Sequence, residues 1–352
     1  MFTVVESDSE SWEAIYEEIS ANSRDIFHNP RFAKAYAETI RPKEGIAAAV
    51  FRSGQTAILY PFVHRVVDRV IGKSGIAEGY IDLVSMYGRC GAIGKNFDEN
   101  SIVAFNAEFA GWCREQKIIC GFDRFHPVLE NHKLVSPYTE VIEVGEFVVV
   151  DLRPSIEKIE SNFRYSMRKA INKGYRAGVT VETSENIDQL NAFIDIYHQT
   201  LDKNIAKPFY YFPNSFYKIL AREFSGHFVF YYGLIDGEIV TCELVLLSQK
   251  FAHSYLGGSC PKGLSASANQ ILKREIIRDL KRRGCQYFLL GGGQNPNDGV
   301  YRYKLAYAPY GARRSFVGGT IFLPDNYSAL RTSMLKNKDP MALNRFQFYD
   351  IG

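Results

Sequence analysis

One order of elements occurs twice in this chain, and it constrains the fold more than any single motif does. In the first half Asn29-Pro30 starts a helix, because asparagine caps free amides and proline suits the first helical position; the helix runs over Arg31–Ile40. Gly45–Phe51, a Ser53-Gly54-Gln55 turn and Thr56–Val66 read as a hairpin, Ser101–Gln116 has helical spacing, and Lys117–Phe125 reads as a strand. The second half repeats that order. A helix over Pro213–Phe224 leads to a strand at His227–Ile235, an Asp236-Gly237 turn and a strand at Glu238–Leu247. A third strand at Lys250–Gly258 precedes a helix at Ser267–Arg283, with Gly284 placed to end it, and a strand at Gln286–Gly291. The pattern predicts an α/β (α+β) protein of two similar tandem domains, each a mixed, mostly antiparallel sheet flanked by helices. The expected boundaries are 1–150 and 151–325, with 326–352 as a C-terminal tail or helix. A chain of 352 residues suits this division, since single cores stop growing near roughly 250–300 residues.

Composition removes several classes. A net charge of +3 gives no global basic excess of the kind a nucleic-acid binder shows. The N-terminus has no basic region before an apolar stretch and does not read as a signal peptide, and no apolar run approaches the roughly 18 residues that span a bilayer. The expectation is a cytoplasmic protein with no transmembrane segment. Six cysteines are scattered without CxxC or paired histidine spacing, so they are expected as small core residues and no metal site is expected.

The modest net charge conceals a segregation. Between Ser161 and Gly178 stand Arg164, Arg168, Lys169, Lys173 and Arg176 with no acidic residue, opposite an apolar stripe of Phe163, Met167 and Ile171. Lys273–Arg283 carries six basic residues against two acidic ones. Such runs are either solvated faces or phosphate cradles, and any phosphate-bearing substrate is expected at these two helices.

Two motifs are candidates for chemistry. On the strand Glu238–Leu247, Glu243 shares a face with Ile239, Thr241, Val245 and Leu247. A carboxylate among apolar neighbours is a proton acceptor of raised pKa, or else it pairs with an arginine or sits at a solvated sheet end. Lys304 follows Tyr303, with Tyr301 and Tyr307 three residues to either side, so helical geometry would ring its ammonium with phenols near a developing oxyanion. The competing reading is a surface lysine beside packed tyrosines. No GxSxG elbow is present, and Gly291-Gly292-Gly293 follows a strand without a helix opening directly after it.

Taken in order, Phe27-His-Asn-Pro-Arg-Phe-Ala-Lys-Ala-Tyr36, Tyr87-Gly-Arg-Cys-Gly91, Val150-Asp-Leu, Arg164–Val179, Gly284–Gly292 and Tyr303-Lys304 resemble the FemAB-like branch of the GNAT acyltransferases, which includes BioF2-like acetyltransferase domains. The resemblance runs from about Phe27 to Gly311. It implies two tandem GNAT-type domains, the first degenerate, and an N-acyl or aminoacyl transfer from acyl-CoA or aminoacyl-transfer RNA to an amine of an envelope amino sugar or peptide precursor. The alternative is a catalytically silent GNAT scaffold that binds a nucleotide-linked glycan or an RNA. By the resemblance Lys304 and Tyr303 fall in the active site, with Glu243 as candidate base. Arg164, Arg168, Lys169, Tyr255, Asn269 and Tyr301 form the candidate substrate- and phosphate-binding set. The glycine-rich acetyl-CoA loop of ordinary GNAT enzymes is replaced by Pro261–Asn269, where helix-terminal amides near Ala268 remain able to hold phosphates.

Overall fold

The computed structural model describes residues 1–72, 75–135, 137–293, 295, 297–335 and 345–350. The chain runs β1 (Phe2–Glu6), α1 (Glu10–Glu18), α2 (Pro30–Thr39), β2 (Gly45–Ser53), β3 (Thr56–Val66), α3 (Val67–Ile71), β4 (Ile81–Val84), β5 (Ile93–Lys95), α4 (Glu99–Glu115) and β6 (Ile118–Arg124). It continues through β7 (Glu140–Asp151), α5 (Ile156–Ser161), α6 (Tyr165–Arg176), β8 (Thr180–Ser184), α7 (Leu190–Lys203), α8 (Asn214–Glu223), β9 (Phe228–Ile235), β10 (Glu238–Leu247) and β11 (Phe251–Ser259). Last come α9 (Pro261–Ser265), α10 (Ala268–Arg282), β12 (Tyr287–Gly291), α11 (Gly299–Leu305), β13 (Ala312–Ile321) and α12 (Pro324–Leu335). Local chemistry sets the ends as expected. Asn29 accepts the amides of Arg31 and Phe32 at the start of α2, and Asp236 and Gly237 both take positive φ to turn β9 into β10. Five of the six cysteines are buried.

Contacts divide the chain into two units, Met1–Val144 with Ser315–Gly352, and Gly145–Arg314. In the first, the strands follow the order β1-β2-β3-β4-β6-β13, with β5 on β3. Every pair is antiparallel except β4 with β6, which α4 connects. In the second, the order is β8-β9-β10-β11-β12-β7, again antiparallel except for β11 with β12, which α9 and α10 connect. The repeat read from the sequence is therefore a repeat of topology.

The expected boundaries at residues 150 and 325 need correction, because the sixth strand of each sheet is exchanged. The strand that follows β6 in sequence, β7, pairs with β12, and the strand that follows β12, β13, pairs with β6. The stretch after residue 325, expected as a tail or helix, starts within the helix α12 and packs into the first unit. Tyr327, Leu330, Met334, Phe348 and Tyr349 are buried with Val67, Ala77, Ile119 and Cys120 of the first unit. A polar network anchors them: Arg65 pairs with Asp82 at 2.7 Å and with Asp350 at 2.6 Å, and the Tyr349 hydroxyl donates to Asp82 at 2.8 Å. Tyr349→Phe removes one bond to a buried carboxylate and should cost about 2 kcal/mol in chemical unfolding, with no change in the far-ultraviolet spectrum.

Candidate active site

In the second unit the sheet opens. β11 pairs with β12 at only three positions, Phe251↔Tyr287, Ala252↔Phe288 and His253↔Leu289. Beyond His253, β11 continues to Ser259 without β12 beside it, so along that edge the ladder between the two strands ends. The far end is met by α7, where the Ser259 amide donates to Thr200 Oγ1 at 3.0 Å. A bulge marks the point of divergence: Leu244 of β10 pairs with Leu256 and Val245 with Ser254, which leaves Tyr255 as the extra residue of β11. Bulges bend a strand and redirect side chains. The corresponding place in the first unit is closed. There β4 and β6 pair from Ile81 to Val84, the Ser85 amide bonds the Phe122 carbonyl at 3.1 Å, and Cys90 bridges Phe125 in parallel.

Lys304 stands beside the opening. Asp298 caps α11 by accepting the Tyr301 amide at 2.7 Å, and Lys304 Nζ donates to the Gly292 carbonyl at 2.8 Å, just past the end of β12. Gly291 has φ +93°, and a Cβ there would lie 2.8 Å from Lys304 Nζ, so only glycine lets the ammonium reach the strand end. Burial, aided by the positive charge of Lys273, lowers the Lys304 pKa to about 8.

The expected ring of phenols around this ammonium is not what the tyrosines form. Tyr301 donates its hydroxyl to Glu146, and burial with that carboxylate pushes its pKa up to about 12. Tyr303 and Tyr307, one turn apart, meet each other with hydroxyls 3.3 Å apart and bond the Asn269 and Gln270 carbonyls at the start of α10. Burial holds both phenols well above the usual range, and hence protonated.

Glu243 is buried and paired, with a lysine where the sequence suggested an arginine, and it is not at a solvated sheet end. Lys273 Nζ of α10 bonds both Glu243 oxygens at 2.5 Å and Ser254 Oγ of β11 at 2.9 Å, and it lies 5.2 Å from the centre of the Phe288 ring. The two residues are 7% and 6% exposed.

The basic helices differ from each other. α10 is neutralised: Arg274 and Arg278 share Glu160, Arg283 meets Asp279 and Glu185, and Lys281 bonds the Leu152 carbonyl. A phosphate face was expected along it, and its guanidinium groups are already occupied. On α6, Phe163, Met167 and Ile171 are buried as the stripe predicted, while Arg164, Lys169, Lys173 and Arg176 are exposed and form no ion pair among the described residues. Arg168 is partly spent on the Ser161 and Phe163 carbonyls. Tyr255 packs edge-on to Phe212, 5.9 Å between ring centres.

At the start of α10, Ser267 takes φ +60° and its side chain caps nothing, so the first amides of that helix have no side-chain cap. Asn269 Oδ1 and Gln270 Oε1 are buried with no hydrogen-bond partner among the described residues. These are acceptors, suited to a ligand N–H rather than to phosphate. Lys273, Ser254, Glu146 and Gly292 were not singled out from the sequence. Their roles depend on pairings across the fold, and Lys273 was counted there only as one charge of a basic run.

Residues 161–305 match the acetyltransferase (GNAT) domain family. No curated protein matches the sequence. Among solved structures, FemX is similar over 93% of this chain and 99% of its own, with a TM-score of 0.69 at 10% identity. L-PGS from Bacillus licheniformis is similar over 99% and 98%, at 0.56 and 15% identity. A conserved Bacteroides thetaiotaomicron protein of unknown function is similar over 91% and 100%, at 0.58 and 10% identity. Residues 161–305 thus carry a GNAT-type acetyltransferase domain, and the chain shares its fold with FemX.

Proposed function

We propose that this chain, whose residues 161–305 form a GNAT domain within a FemAB-like tandem fold, transfers an acyl group from an activated carrier to an amine at the β11–β12 cleft. The observation that carries the reading is the parting of β11 from β12 past His253, with Lys304 at its rim. The donor carbonyl lies against the exposed edge of β11, as a missing strand would. The amine attacks, the carbon–nitrogen bond forms, the bond to the carrier's sulfur or oxygen breaks, and the amine's proton leaves on that departing sulfur or oxygen. Charge on the carbonyl oxygen is met by β11 amides and the Lys304 ammonium. Both Glu243 oxygens are held by Lys273, so in this reading Glu243 positions Lys273 rather than taking the proton. Tyr303 closes the inner wall.

The donor we favour is an acyl-CoA. The uncapped start of α10 suits its phosphates, and the orphan oxygens of Asn269 and Gln270 suit its amide N–H groups. A second reading, aminoacyl-transfer RNA, is favoured by the exposed, unpaired row Arg164, Lys169, Lys173 and Arg176. The acceptor is proposed as an amine of an envelope amino sugar or peptide precursor, and the site of action as the cytoplasm. Among the described residues no helix is long and apolar enough to cross a membrane. Titration of the full chain with acetyl-CoA and with aminoacyl-transfer RNA at low and high salt tests the donor. Micromolar acetyl-CoA binding that survives high salt and Arg164→Glu supports the first reading. RNA binding that falls steeply with salt, and at least tenfold in Arg164→Glu, supports the second. Binding without turnover of any amine would leave a silent scaffold and overturn both.

A further inference from the structure

The first unit holds a cavity of about 370 Å³ that has no place in the acyl-transfer reading. It lies beneath α4, against β3, β6 and β13, and a volume of this size accommodates a small ligand. Phe105, Phe109, Leu134 and Phe322 give it apolar walls. Asp123 of β6 also lines it and is only 7% exposed. Its two oxygens accept one bond each, from the Tyr60 hydroxyl at 2.7 Å and the Ser85 hydroxyl at 3.0 Å. A carboxylate has about four acceptor positions, so capacity remains. Among the described residues no lysine, arginine or histidine forms an ion pair with it. Burial raises its pKa to about 6, which still leaves it ionised at neutral pH. Arg114 also lines the cavity but is exposed.

A buried charge without a counter-ion is costly, and here it faces a cavity walled largely by aromatic and aliphatic side chains. We propose that this cavity binds a small apolar molecule carrying one protonated amine, the ammonium pairing with Asp123 and the body lying among Phe105, Phe109, Leu134 and Phe322. An acid of the same shape would meet the carboxylate with like charge, and an alcohol would leave the charge uncompensated. The site is independent of Lys304 and of the acyl-transfer reading.

Calorimetric titration of the full chain with n-octylamine, n-octanol and octanoate at pH 7.5 tests this. Saturable one-to-one binding of octylamine is expected, at least tenfold tighter than octanol, with octanoate weaker still. Asp123→Asn keeps the shape and should remove the preference for the amine. Ala110→Phe, on the half-buried cavity face of α4, should abolish binding of all three while leaving acetyl-CoA titration unchanged. Octanoate binding as tight as octylamine overturns the proposal. So does an octylamine affinity unchanged in Asp123→Asn or in Ala110→Phe, each first shown to melt cooperatively.

Discussion

Lys304→Ala should lower kcat roughly a hundredfold or more, with little change in the KM for the donor. The expectation rests on where the charge is needed. One well-placed oxyanion donor typically contributes about 3 kcal/mol to the transition state and little to the ground state, so the loss falls on kcat. The ammonium is held at the strand end by the Gly292 carbonyl, and the site tolerates it because Gly291 has no Cβ. Its pKa of about 8 fixes the sign of the pH dependence. Below pH 8 the amine is charged and can meet an oxyanion; above it the charge is lost, so the Lys304-dependent part of kcat should fall as pH rises through about 8. Stability runs the other way. The folded pKa lies below the ordinary lysine value near 10.4, so the unfolded chain binds the proton more tightly and stability should rise between pH 8 and pH 10. Lys304→Met, which removes that penalty, should melt at pH 7 no lower than the parent while activity collapses. Unchanged turnover in Lys304→Ala, or a kcat that rises through pH 8, would overturn the assigned role.

What was legible in the sequence is what depends on near neighbours. The bounds of β10 agree residue for residue with the strand expected at Glu238–Leu247, and α10 falls one residue inside each end of the expected helix. In both cases a turn signal, Asp236-Gly237 or Gly284, stands at the edge of a long periodic segment. Strands with little periodicity were missed: β4 is four residues long, and β8 has mostly exposed side chains, so neither shows a clean alternation. The exchange of β7 and β13 could not be read either, because pairing is decided by contacts between segments far apart in the chain. The same holds for the site. Lys304 could be named as a candidate because Tyr303 precedes it in a short motif. The cleft was not, since it is defined by three pairs present and further pairs absent along two strands joined through α9 and α10. Charge counting misled for α10 because Glu160 and Glu185, which neutralise it, lie outside the run that was counted.

The buried pair of Glu243 and Lys273 gives the second large effect, and separates a positioning role from a catalytic base. Lys273→Met leaves the Glu243 carboxylate 7% exposed with no cation, and removing one partner of a buried pair typically costs about 3–5 kcal/mol. Replacing both, in Lys273→Met with Glu243→Leu, leaves no orphan charge and should return stability to within about 1–2 kcal/mol of the parent, read by denaturant unfolding. The activities then discriminate. Lys273 lowers the Lys304 pKa and Glu243 raises it, so the two influences oppose each other. Lys273→Met alone removes the lowering influence and should move the alkaline limb of the kcat profile above pH 8. The double variant removes both, and its limb should return close to the parent's, with turnover reduced about tenfold or less. If Glu243 were instead the group that takes the amine's proton, the double variant would be stable and yet lose the 10²–10⁴-fold that general base catalysis contributes, at every pH. A stable double variant whose turnover falls no more than about tenfold therefore assigns Glu243 to holding Lys273 in place, and leaves Lys304 as the charged group that meets the reaction.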